Sequence, residues 1–150
     1  ALGRDVTVDD FDAELAGRWD GAHPQLSARS ERNPDIYLGP GAHYDVLREG
    51  RKLPARARFQ PAFPRAGRYQ VCLGFRPAKN QATNVPVVIR HAAGTKKLKI
   101  NEREETTPFN FVALGEFEFK AGDSGFVEIS NADSDGRVAI DAVRWVWLGD

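Results

Sequence analysis

The sequence predicts an all-β fold, an antiparallel β-sandwich of the jelly-roll type. Three observations carry that expectation. Short runs alternate apolar and polar residues with a period of two, as half-buried strands do. Gly, Pro, Asn and Asp punctuate those runs at steady spacing. After Ala16 no segment has a helical period. Roughly nine short strands at this spacing suit a sandwich.

Taken in order, Asp5 to Asp10 (DVTVDD) alternates and reads as the first strand. An acidic, mixed excursion follows from Phe11 to Ala16, closed by Gly17-Arg18-Trp19. Asp20 to Pro34 has little periodicity and reads as a long surface loop, a kind of segment that is usually functional or mobile. Ile36 to Leu38 and Tyr44 to Leu47 read as short strands around a Gly39-Pro40-Gly41 turn, and Arg48 to Pro54 as a basic connection. Ala55, Ala57 and Phe59 alternate with Arg56, Arg58 and Gln60 before Pro61 and Pro64, which suit an edge or a strand end.

The stretch from Gly67 to Arg90 organises the rest. Tyr69, Val71, Leu73 and Phe75 point one way and Gln70, Cys72, Gly74 and Arg76 the other. Pro77 ends that strand, a polar loop carries Lys79, Asn80 and Asn84, and Val85 to Ile89 returns. A strand that presents a polar loop is a binding-site architecture. Beyond it, Gly94 turns the chain into Lys96 to Ile100, and Phe109 to Phe119 follows with a bulge or bend at Leu114-Gly115. Ala121 to Gly125 reads as a hairpin turn into Phe126 to Ser130, Asn131 to Gly136 as another turn, and Arg137 to Leu148 as the final strand.

The chain's 150 residues suit one domain with a core of its own. Lysines and arginines number 21 and acids 21, so there is no bulk field to collect nucleic acid or an anionic membrane. No run approaches the length of a membrane span. The single Cys72 has no internal disulfide partner and reads as a free buried thiol. With no signal peptide and no methionine, the chain is expected to be processed or excised from a larger protein. It is expected to act as a monomer, with no nucleic-acid and no membrane partner.

The residues offer no catalytic constellation. His23, His43 and His91 are scattered, no HExxH, CxxC or GxSxG pattern occurs, and Cys72 sits inside a strand. The acids Asp9, Asp10, Asp12 and Glu14, and Glu102, Glu104 and Glu105, are numerous enough for paired-carboxylate hydrolysis, but such clusters are usually solvated faces. We expect no enzymatic activity. Asn131, Asp133 and Asp135 ahead of Gly136 begin as a calcium loop does, yet the twelfth position is Ala142, so an EF-hand is excluded and a hairpin turn is the better reading. Asp141 shares a strand side with Val143, Trp145 and Trp147, where a carboxylate needs a counter-charge, hydrogen bonds or a cation. Lys96, Lys97 and Lys99 read as a charged strand edge that discourages sheet-to-sheet pairing, with Lys97 and Lys99 on one face and Lys96 on the other.

The strings PAFPRAGRYQVCLGFRPAKNQATNVPVVIRHAAG, LGEFEFKAGDSGFVEISNADSDG and VAIDAVRW, with VDDFDAE and GRW near the start, resemble the golvesin and xanthan-lyase carbohydrate-binding-like domain family. The resemblance covers most of the chain, Asp20 to Pro34 being least typical, and the pairing of NQATNVPV with DAVRW is its most specific part. It implies a β-sandwich similar to galactose-binding modules, serving as a non-catalytic, carbohydrate-binding accessory domain of a secreted, periplasmic or cell-surface protein. The partner would be a polysaccharide or, alternatively, the other domains of a parent enzyme against which the module packs without binding sugar itself.

Related sugar-binding jelly rolls hold a structural Ca2+ between acids of the first strand and one of the last. That similarity implies Asp10, Asp12 or Glu14 together with Asp141. The bland alternative is a salt bridge from Asp141 to Arg18 or Arg144, or a cap on backbone amides. Sugar binding needs a flat aromatic face and planar polar groups. The candidate aromatics are Trp19, Tyr37 and Tyr44, and the polar candidates are Arg76, Asn80, Gln81 and Asn84. Trp19 reads equally as a core plug, Tyr37 and Tyr44 as hairpin flanks, and Asn84 as a residue that only closes its turn.

Overall fold

The computed structural model describes residues 5–9, 13–17, 19–20, 43–45, 47–48, 51–75, 79, 81–103 and 111–149. Every regular element among them is a β-strand. In chain order these are β1 (Val6–Asp9), β2 (Glu14–Gly17), β3 (Trp19–Asp20), β4 (His43–Asp45), β5 (Leu47–Arg48), β6 (Arg51–Lys52) and β7 (Ala55–Phe59). They continue as β8 (Gly67–Gly74), β9 (Val85–His91), β10 (Gly94–Ile100), β11 (Phe111–Phe119), β12 (Phe126–Ser130), β13 (Ala139–Ile140) and β14 (Ala142–Gly149).

Two antiparallel sheets form the sandwich. One has four strands in the order β1-β14-β8-β11, the other five in the order β10-β9-β12-β7-β2. A small sheet, β13-β4-β3, lies beside them, and β5 pairs with β6.

The period-2 alternation decides which side chains meet between the sheets. Tyr69, Val71 and Leu73 of β8 and Val143 and Trp145 of β14 are fully buried from one side. Ala57, Phe59, Val85, Ile89, Val127 and Ile129 are fully buried from the other. Phe63 stacks on Phe119 at 4.8 Å between centroids and meets Trp145 edge-on at 5.5 Å. Each such aromatic pair adds about 0.5–1.5 kcal/mol beyond its area burial. Cys72 is buried and unbridged on the opposite face of β8, where burial pushes its thiol up.

The tertiary structure revises several expected connections. β8 and β9 lie in different sheets, so these two strands do not pair as a hairpin. The turn after β11 likewise leads into a strand of the other sheet, and β12 pairs with β7 and β9. β7 is interior, flanked by β12 and β2; its prolines mark the strand's end and not an edge. The expected last strand is broken at Asp141, with β13 pairing β4 and β14 pairing β1 and β8. The expected bulge is present: register shifts between Ala113 and Gly115, where Gly115 has φ 139°.

Candidate functional site

The register places the ends of β1, β2, β8, β10 and β12 together at one end of the sandwich. Asp9 and Gly74 both stand opposite Ala142, Gly17 opposite Ala55, and Ile100 opposite Val85. Hydrogen bonds then tie the loops at that end to one another.

Asn131, only 8% exposed, is the principal tie. Its Oδ1 accepts from the Ala55 amide at 3.0 Å and its Nδ2 donates to the Leu53 carbonyl at 2.8 Å. The turn beyond it is closed by Ser134, whose amide and hydroxyl both donate to the Asn131 carbonyl, at 3.2 and 2.9 Å. Asp133 takes φ 53°, a left-handed conformation that aspartate tolerates in turns.

The same turn is stitched to the segment before β9. Asn84 Nδ2 donates to the Asp133 carbonyl at 3.0 Å, and the Asp135 amide donates to Asn84 Oδ1 at 2.8 Å. Asp135 accepts from the Thr83 amide at 2.7 Å and from the Thr83 hydroxyl. Those bonds, the hydroxyl's foremost, hold its carboxyl below the ordinary value of 3.8.

Beneath the stitched loops lies a layer of buried polar groups. Glu102 is fully buried, and its Oε1 accepts from the Ala139 amide at 2.8 Å. Its own amide donates to the Ala82 carbonyl at 2.8 Å, and Arg103 Nε donates to the Gln81 carbonyl at 2.6 Å. Glu102 thus departs from the solvated acidic face expected of it. The run of acids around it masked a residue whose local sequence gives no sign of burial, because its partner lies on a strand 37 residues away. Gln81 is 2% exposed and turned inward, so it does not present its amide to a ligand.

Between these loops and the ends of β2 and β7 opens a cavity of about 620 Å³, bordered by Gly17, Pro54, Arg56, Ser130, Ala132 and Ser134 among others. Its wall requires glycine at one point: Gly17 has φ 83°, and a Cβ there would drive into the Pro54 carbonyl oxygen. Trp19 does not line this cavity: it is half-buried and packed against the core, and its indole Nε1 donates at 3.2 Å to the carbonyl of Arg56, which does. An open concave site of this kind suits a small or chain-like ligand with an apolar face and hydroxyls.

Of the residues expected to bind ligand, Trp19 is joined to this cavity only through the Arg56 carbonyl, and Asn84 is in the loop network next to it. Both ends of the Asn84 amide are engaged there, which is the turn-closing role. Tyr44 has its backbone paired with Asp20 and Ala139 at the same end. Tyr37, Arg76 and Asn80 lie outside the described residues.

Of the expected calcium ligands, Asp10 and Asp12 also lie outside them. Asp141 is 4% exposed at the start of β14. Glu14 is exposed, in register with Arg58 on the outer face of the other sheet, and so does not converge with Asp141. Arg144, weighed as a partner for Asp141, lies over the Phe111 ring at 4.9 Å. Among the described residues no group of three or more His, Cys, Asp or Glu side chains is placed to hold a metal. The Asn131-to-Gly136 segment is a turn, its Asn131 and Asp135 oxygens committed to protein donors.

Comparison with known proteins places this architecture. The profile of the Golvesin C-terminal domain matches residues 7–147. The chain is 32% identical over 147 residues to xanthan lyase of Bacillus sp. (strain GL1), covering 96% of this chain and 15% of that protein. It superposes on the structure of Paenibacillus xanthan lyase with a TM-score of 0.80 at 28% identity, covering 99% of this chain and 13% of that one. The Podospora anserina GH26-CBM35 β-(1,4)-mannanase matches with a TM-score of 0.61 at 19% identity, over 97% of this chain and 28% of that one, a likeness of fold. This chain therefore spans about a seventh of the length of the xanthan lyases it matches, and by its profile and its kinship it belongs to the Golvesin C-terminal domain family.

Proposed function

We propose that this domain is a non-catalytic accessory module that binds polysaccharide at the loop end, in an extracytoplasmic protein active on such polymers. The observation that carries the reading is the cavity of about 620 Å³ bordered by Gly17, Asn131 and Arg56, the last of which accepts the Trp19 indole hydrogen bond. Kinship with a segment of xanthan lyase supports the same reading. Trp19 would offer the apolar face, with Tyr37 and Tyr44 as further aromatics. Arg76 and Asn80 would offer planar polar groups from the loop before β9, and Asn84 would hold that loop in place.

The test is retention of the isolated domain on a panel of soluble and insoluble polysaccharides. Ala132 is exposed and borders the cavity, so Ala132→Trp fills the space without disturbing the core. Retention on at least one polymer, lost in Ala132→Trp and weakened in Trp19→Phe, is the expected result. No retention on any polymer would overturn the reading.

A structural Ca2+ belongs to the same proposal. Asp141 would hold it with Asp10 and Asp12, supplying the hard oxygen ligands calcium takes, while Glu14 is turned away. A fall in Tm on adding EDTA, absent from Asp141→Asn, is its expected signature. A second reading, packing against neighbouring domains without sugar binding, is favoured by the outer face of β14, where half-buried Val146 is followed by Leu148, 46% exposed. Failure of the polysaccharide screen would leave that reading standing.

A further inference from the structure

From the outer face of the five-stranded sheet we infer a second contact surface, one that takes the carboxylate-bearing stretch of an acidic polysaccharide. The inference rests on the polysaccharide-binding reading above and names the class of polymer. Register defines the face. One row crosses all its strands as Glu14, Arg58, Glu128, Val88 and Lys97, each opposite the next. Arg56, Arg90, Thr95 and Lys99 point the same way, as their pairing with Ser130, Phe126, Arg90 and Pro86 requires.

Among the described residues the charges on this face do not balance, although those of the whole chain do. Arg56, Arg58, Arg90, Lys97 and Lys99 stand against Glu14 and Glu128. Glu128 is spent on Arg58, at 2.9 Å, with Arg56 at 4.0 Å. No carboxylate among the described residues lies within ion-pair distance of Arg90, Lys97 or Lys99. Blunting of a sheet edge accounts for lysines on β10, the edge strand, and does not account for arginines on β7 and β9, which are flanked on both sides.

The floor between the cations is apolar. Pro86 and Val88 line a shallow groove of about 240 Å³ with Lys97 and Lys99 on its rim. Phe126 is half-buried beneath the Arg58 guanidinium, 4.1 Å from its ring centre. Strands about 4.8 Å apart put Lys97 and Arg58 roughly 14 Å from each other across the sheet. That span suits an extended chain carrying repeated carboxylates over apolar ring faces. The face is also continuous with the loop-end cavity, because Arg56 and Ser130 border both.

The experiment is affinity electrophoresis and calorimetry of the folded domain with polygalacturonate and alginate, each compared with its carboxyl-reduced counterpart. Retention by the acidic polymers, weakened by added salt and by carboxyl reduction, is expected. The triple variant Arg90→Gln, Lys97→Gln, Lys99→Gln is expected to lose about tenfold in affinity for them, three exposed charge contacts being removed. Thr95→Lys, which adds a cation on the same exposed face, is expected to gain about twofold. Equal retention of acidic and carboxyl-reduced polymers, or a triple variant that binds as the parent does, overturns the inference and leaves the polysaccharide reading intact. Retention of neither polymer, nor of any in the wider panel, overturns both. Duplex DNA binding as tightly as the acidic polymers would overturn the assignment to carbohydrate.

Discussion

Replacing Asn131 by alanine tests how the loop end is held. The Asn131 amide satisfies the Ala55 N–H at 3.0 Å and the Leu53 carbonyl at 2.8 Å, in a position 8% exposed. Truncation leaves both backbone groups without those partners. A buried group that loses its partner costs about 1–3 kcal/mol. The adjoining cavity admits water, which favours the low end for each, so the expected loss is about 2–3 kcal/mol. For a domain of this size that is a fall in Tm of about 5–10 °C. Urea denaturation should show a lower midpoint with an unchanged slope, since the surface exposed on unfolding is the same. Asn131→Asp provides a second reading: its carboxylate still accepts from Ala55 but cannot donate to Leu53. It should therefore be closer to the parent at acid pH, where the protonated group can donate. A loss below about 0.5 kcal/mol for Asn131→Ala would refute the claim that this side chain holds the two segments together.

Two further expectations concern the same end. Gly17→Ala forces a side chain into a φ of 83° and against the Pro54 carbonyl, so it should destabilise by at least the ~1–2 kcal/mol of the backbone term; a neutral result in urea denaturation would contradict the described path of the chain. Asp135 has a folded-state pKa depressed by the Thr83 hydrogen bonds. Its contribution is therefore fully present above the ordinary value of 3.8 and is lost as pH falls through the lower folded value. The stability gap between the parent and Asp135→Asn should narrow on acidification, and Thr83→Val should raise the Asp135 pKa in an NMR titration. A gap that widens at acid pH would refute the assignment.

The alternation of Ala55 to Phe59 and of Tyr69 to Phe75 is enough, by itself, to predict strands and the side of each that is buried. Both follow from a period of two and the cost of leaving apolar groups in water. The Gly115 bulge and the turn at Asn131 to Gly136 were legible for the same local reason, since glycine, asparagine and aspartate take conformations other residues avoid. Strand pairing was not legible. β8 and β9 are neighbours in sequence and partners in neither sheet, and the short strands β2 and β3 gain their order from pairing with distant segments, whereas β5 and β6 pair locally with each other.

The candidate site divides along the same line. Sequence composition singled out Trp19, the polar loop before β9 and a carboxylate at Asp141. It gave no sign that Glu102 is buried, that Gln81 turns inward, or that Arg56, Arg90 and Lys97 share a face. What the sequence determined is what each segment's own period and turn chemistry dictate: the strands, their inward residues and the all-β class. What only the tertiary structure decided is which loops meet and which charges gather, because a side chain's burial and its field depend on partners dozens of residues away, whose approach no local pattern records.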